Sequence, residues 1–146
     1  MIIRDIELLN TSIKDKAKKA IADMDADSKL KQLGASGVVV IETIRQLVTQ
    51  MAYYARGRMD TDDVRSMFHA AKLWELSDME AKQKVTWTLK SKHIDGQAID
   101  IAPIRNGRVW WGAPDAVWQR MGEIGKLNGL AWGGEWKNKD TPHFEV

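Results

Sequence analysis

SKHIDGQAIDIAPI, residues 91–104, holds a histidine, then a tight Asp95-Gly96 turn, then an apolar run with a single acid inside it. The run AIDIAPI (Ala98–Ile104) is short, β-branched and apolar, so it reads as a buried strand. An ionised Asp100 in such a strand needs hydrogen-bond donors, a cation or a metal ion, because an isolated charge in apolar surroundings is far too costly. The Asp-Gly turn lets His93 fold back beside the strand that carries Asp100. Taken alone, the two read first as a hydrogen bond that organises the core, with two legs of a metal site as the alternative.

Outward from this strand, helical and strand patterns alternate. Asn10, Thr11 or Ser12 can cap a helix whose apolar positions are Ile13, Ala17, Ala20, Ile21 and Met24. Val38–Thr43 is a β-branched run that reads as a buried strand, and Gln46–Arg58 returns to helical spacing with Gly57 as its C-cap. Asp60–Asp63 opens a further helix, and SDME (Ser77–Glu80) is a capping box. Lys84–Thr88 is expected to be a short strand, Asn106–Arg108 a hairpin turn, and Ala113 or Pro114 to Leu127 a helix. A last strand is expected around His143–Val146. The class is α+β: one compact domain, residues 1–146, with a small, mainly antiparallel sheet packed with helices.

Composition narrows the function. The chain has 146 residues, and 44% of them are hydrophobic, enough for one domain with a real core. Its 22 basic and 20 acidic side chains leave a net charge of +2, and no basic block of the kind that grips nucleic acid is present. There is no cysteine, so disulfides, thiol catalysis and cysteine-based zinc sites are excluded. The N-terminus MIIRDIELLN has acids where a signal peptide needs an apolar core, and no stretch is long enough to span a bilayer. The expectation is synthesis in the cytoplasm and no stable membrane insertion.

The C-terminal DTPHFE adds a second strand histidine, His143, with Asp140 three residues before it. Each has an ordinary structural use, Asp140 as a turn residue and His143 as a half-buried, satisfied histidine. Together with His93 and Asp100 they fit a hydrolytic zinc site. Three protein ligands hold the metal and a fourth position stays open for water. A nearby carboxylate then moves the proton. On this reading His93, Asp100 and His143 are the ligands and Asp140 is the base. His69 has no acid placed to work with it and reads as structural or exposed.

SKHIDGQAID together with WGGEWKNKDTPHFE resembles the zinc peptidases of phage endolysins and bacterial D-alanyl-D-alanine carboxypeptidases, and most of all their L-alanyl-D-glutamate endopeptidase branch. The family pattern Ser-x-His-x-x-Gly-x-Ala-x-Asp is met by Ser91, His93, Gly96, Ala98 and Asp100. The closing pattern is met by Trp132, Gly133, Gly134, Trp136, Asp140, His143 and Phe144. An upstream block is met by Arg45, Gln50, Tyr54, Gly57 and Arg58. The resemblance implies a Hedgehog/DD-peptidase-like fold, Zn2+ on His93, Asp100 and His143, Asp140 as base, and Arg45 facing negative charge on the substrate carbonyl. Gln50, Ser91 and Trp132 are the expected substrate contacts. Ile44 departs from the pattern, since relatives usually have an aromatic there. The span Met59–Lys84 is longer than the pattern expects, as an added helical lid or groove wall would be.

The implied activity is hydrolysis of the peptidoglycan stem peptide at its L-Ala–D-Glu bond. The alternatives are a D-Ala-D-Ala carboxypeptidase or dipeptidase, and a non-catalytic wall-binding module that keeps a zinc. A monomer without a separate wall-binding module, acting on the wall after the membrane is breached, completes the expectation.

Overall fold

The strand around Asp100 is the centre of the sheet. In the computed structural model, which describes residues 1–146, β2 (Ala98–Arg105) lies between β1 (Gly37–Glu42) and β5 (His143–Glu145), antiparallel to both. A two-residue β3 (Arg108–Val109) folds back on the end of β2, and β4 (Ala131–Trp132) pairs with β5. The order is β1-β2-β5-β4. Around the sheet lie α1 (Thr11–Ala26), α2 (Ser28–Gln32), α3 (Leu47–Ala55), α4 (Thr61–Ala70), α5 (Asp78–Lys82) and α6 (Asp115–Leu127). The fold is α+β with an antiparallel sheet, as expected.

Alternation along the strands gives the sheet two different faces. Ile99 pairs with Phe144, and Phe144 in turn with Trp132. These three side chains point into the main core with Ile101, against Ile13 and Ala17 of α1 and Val117 and Met121 of α6. Asp100 pairs with His143 and therefore points the other way. Two glycines set the depth of α6. A Cβ at Gly122 would fall inside the Trp132 ring, and one at Gly125 inside the Phe144 ring. Helix propensity argues against glycine at both positions, so close packing on β4 and β5 is what keeps them.

A second, smaller core joins α3, α4 and α5 through Ala52, Val64, Phe68, Leu76 and Ala81. The long span Met59–Lys84 thus builds its own helical layer, and Trp74 emerges from it at 42% exposure.

Local signals account for most boundaries. Asn10 Oδ1 accepts from Ser12 N at 2.9 Å, and Ser77 and Glu80 form the expected capping box. Pro114 stands one place ahead of α6, as its N-cap. The expected strand at Lys84–Thr88 does not form. Its backbone finds side chains instead of a neighbouring strand: the Gln50 amide donates to the Thr88 carbonyl at 2.7 Å, and Thr88 Oγ1 bonds with the Lys90 backbone at 2.9 Å. No helix is long and apolar enough to cross a membrane.

Candidate active site

Three strands place a row of polar side chains on the face opposite the core. Asp100 is the middle member, with His143 opposite it on β5 and Glu42 opposite it on β1. Glu42 reaches that position through a β-bulge. The pairing runs Val40 with Ile101 and then Glu42 with Asp100, so Ile41 is the extra residue. Without the bulge Ile41 would oppose Asp100. A bulge beside a site re-aims one side chain, and here it aims a carboxylate at an arginine.

His93 arrives from the loop before β2. Gly96, at φ +69°, turns the chain, and the Gly96 carbonyl accepts from Asn10 N at 2.9 Å. The His93 carbonyl accepts from Arg45 N at 3.0 Å, and Ser91 Oγ accepts from His93 N at 3.3 Å. The imidazole is 1% exposed. Its Nδ1 lies 2.6 Å from the Thr43 carbonyl, which can only accept, so Nδ1 carries the hydrogen and Nε2 keeps a lone pair. His143 is held the opposite way round. Its Nε2 donates to Glu145 Oε2 at 3.0 Å, which leaves Nδ1 bare.

The bare nitrogens converge on one oxygen. His93 Nε2 and His143 Nδ1 each lie 3.3 Å from Asp100 Oδ1, and the rings meet edge to face at 5.1 Å. These approaches are close without being aligned: His93 Nε2 and Asp100 Oδ1 are both buried and neither has a hydrogen-bond partner. All three ligand atoms fall within 4.8 Å of one another. Burial pushes the Asp100 carboxyl up, but the His143 and His93 imidazoles outweigh it and hold it well below the usual carboxylate range. His143 is pressed down by burial and raised more strongly by Asp100, Glu145 and Asp140. Buried lone pairs aimed at a common point are unfavourable unless a cation fills it. The donor set, two imidazoles and a carboxylate with outer hydrogen bonds fixing both rings, is one that suits zinc.

Asp140 stands at the rim. Its Oδ2 is 3.9 Å from His143 Nδ1 and its side chain is 52% exposed. The turn that carries it is tight, because Asp140 N donates to the Gly133 carbonyl at 2.9 Å and a Cβ on Gly133 would collide with the Asp140 carbonyl oxygen. Partial burial and the charge of Asp100 raise its carboxyl above the ordinary value, toward the range useful to a general base.

Arg45 is pinned beside the row. Its Nε donates to Glu42 Oε1 at 3.0 Å and NH2 to Glu42 Oε2, while NH1 donates to Gln50 Oε1 at 2.7 Å. Its NH2 is 4.0 Å from Asp100 Oδ2. The guanidinium also lies over the Tyr53 ring, 4.9 Å from its centre. Burial and the Glu42 charge push the Tyr53 hydroxyl up to about 12, so it stays protonated as a donor.

These groups line one cavity of about 400 Å³, together with Ser91, Trp136 and Trp74. The geometry brings together His93, Asp100, His143, Asp140, Arg45 and Ser91. It corrects two expected substrate contacts. Gln50 is fully buried and serves Arg45 and the 86–88 loop, not the cavity. Trp132 is 4% exposed and donates from Nε1 to the Thr141 carbonyl at 2.8 Å; the indole facing the cavity is Trp136, 4.9 Å from the His143 ring. Trp132 is in the core because it pairs with Phe144, on the face opposite His143.

Several site residues escaped the sequence reading. Glu145 was legible, since it lies two residues beyond His143 on a strand and so shares its face. Glu42 was not, because its orientation depends on the bulge. Tyr53, Arg56 and Trp74 enter from the helical layer, whose docking no local pattern announces.

Residues 84–146 match the protein family described as D-alanyl-D-alanine carboxypeptidase. A stretch of 62 residues is 39% identical to the L-alanyl-D-glutamate peptidase of Escherichia phage T5, covering 39% of this chain and 45% of that protein. The chain thus spans about half the length of the curated relative it matches. The whole chain is similar in fold to the crystal structure of the Serratia marcescens L-Ala D-Glu endopeptidase ChiX, with a TM-score of 0.59 and 19% identity over 88% of that chain.

Proposed function

We propose that this protein is a zinc peptidase that hydrolyses the peptidoglycan stem peptide between L-alanine and D-glutamate. The observation that carries the metal is the buried, unpartnered pair His93 Nε2 and Asp100 Oδ1, with His143 Nδ1 turned toward the same point. His93, Asp100 and His143 would hold the ion. When bound, zinc supplies Lewis acidity and a water acidified toward neutrality.

The chain's own residues do the rest. Asp140 takes the proton of the attacking water and returns it to the leaving amine; its raised carboxyl and rim position suit both transfers. Arg45 keeps N–H groups beyond the three that Glu42 and Gln50 occupy, and it presents a fixed positive charge to a carbonyl oxygen that becomes negative. Because Glu42 and Gln50 hold it in place, little reorganisation is needed as charge develops. Ser91 braces the His93 turn at the cavity edge, and Trp136 gives a flat wall for an extended peptide. The same chemistry on the terminal D-Ala-D-Ala bond is the second reading, favoured by the description of the matching family.

The two separate by product. Purified Gram-negative sacculi are digested and the soluble fragments identified by mass spectrometry. Stem peptides beginning at D-glutamate support the endopeptidase. Release of terminal D-alanine alone moves the assignment to the carboxypeptidase.

A further inference from the structure

One buried cation in the cavity has no part in this chemistry. Arg56 ends α3 and is only 8% exposed. Its Nε donates to the Glu80 carbonyl at 2.8 Å, which fixes the plane of the guanidinium. No carboxylate forms an ion pair with it, whereas Arg45 has Glu42, Arg65 has Asp62 and Asp78, and Arg120 has Asp27 and Glu123. Its terminal nitrogens have no protein acceptor, and they are not sealed in, because Arg56 lines the cavity. Lys90 lines the same cavity and, unlike Lys92 with its Glu145, pairs with no carboxylate. Buried arginines normally meet an anion, and two parallel N–H groups in a plane match a carboxylate best. Burial presses on the Arg56 charge in the same sense.

We propose that Arg56 is the receptor for a free carboxylate of the substrate: the α-carboxylate that a γ-linked D-glutamate leaves exposed next to the scissile bond. The inference rests on the peptidase reading of this cavity and deepens it, since it makes acidity next to the cut bond a condition of recognition. Amidation of that carboxylate would remove the recognised group without touching the reacting amide. Arg56 thereby acts on specificity and binding rather than on the bond-breaking step.

The test is binding, not turnover. The zinc-loaded protein is titrated calorimetrically with γ-D-glutamyl-L-lysine and with its α-carboxamide, neither of which contains the scissile bond. The free acid should bind roughly tenfold or more tightly than the amide. Arg56→Gln should abolish that preference by weakening the acid alone, and Arg56→Lys, which keeps the charge and the hydrocarbon stem, should restore part of it. Equal affinity of the wild type for both ligands, or none for either, overturns the proposal, as does a preference that survives in Arg56→Gln. A preference that depends on Arg56 in a protein that leaves stem peptides uncut upholds the receptor and removes the peptidase reading.

Discussion

Asp140 and His143 sit on one turn, and the proposed mechanism gives them separable duties. Asp140→Ala is expected to lower stem-peptide turnover by roughly 10²–10⁴-fold while zinc still binds at one ion per chain. His143→Ala should lose both, because Nδ1 is one of only three bare donor atoms. Zinc content by mass spectrometry and turnover on the same samples check the pair; full occupancy in His143→Ala would show that the ligand is elsewhere. On the same proposal Glu145 acts through His143, whose Nε2 donates to it. Removing the carboxylate frees the ring to rotate, so Glu145→Ala should cost about 10–100-fold in zinc affinity. Zinc must also displace the proton that Asp100 and Glu145 encourage on His143, so its affinity should fall as the solution is acidified. At this scale the sequence was informative: it singled out His93, Asp100, His143 and Asp140, and the fold brings all four to one cavity. It misassigned Trp132 and Gln50 because a motif gives position in the chain but not the face of the strand or helix.

The elements are held in register by features that strand and helix patterns do not display. The bulge in β1 turns Glu42 toward Arg45, and the glycines of α6 set where β5, and so His143, comes to rest. Gly125→Ala would improve helix propensity by about 1 kcal/mol in isolation. Here the added methyl meets Phe144, so a net loss of about 1–3 kcal/mol is expected, with weakened zinc binding, by urea unfolding and metal titration. An unchanged midpoint would show that β5 can move without cost. Far from the site, Asp27 caps α2 through Leu30 N and pairs with Arg120 of α6 at 2.7 Å. Arg120 holds the Asp27 carboxyl below its ordinary value. A depressed carboxyl stabilises the fold above its unfolded value, near pH 4, and that gain is lost as pH falls through the lower folded value. Asp27→Asn keeps the cap but not the charge, so it should cost about 1 kcal/mol at pH 7, and the gap should narrow as pH falls through the lowered folded value. Helix ends, β1, β2 and β5 were readable from caps and β-branched runs. Lys84–Thr88 was not, because its alternating pattern fits a strand while Gln50 and the threonine hydroxyls supply its backbone partners.

The whole molecule is a sheet with one face given to the core and the other to the polar row of the candidate site, and a helical layer closing the cavity beside it. That division explains why few of the seven tryptophans are deeply buried: Trp132 and Trp118 pack in the core, Trp136 and Trp74 border the cavity, and Trp87 and Trp111 are exposed. It also sets two cations, Arg45 and Arg56, on the wall of the cavity that holds His93, Asp100 and His143. The measurement that matters most takes zinc-stripped protein, restores zinc stepwise, and follows bound metal and fragment release from sacculi in the same tubes. Release should be absent without metal, rise in proportion to occupancy, saturate at one ion per chain, and vanish in Asp100→Ala at any zinc concentration. Undiminished release from the stripped protein, or from Asp100→Ala, would contradict a catalytic metal held by His93, Asp100 and His143.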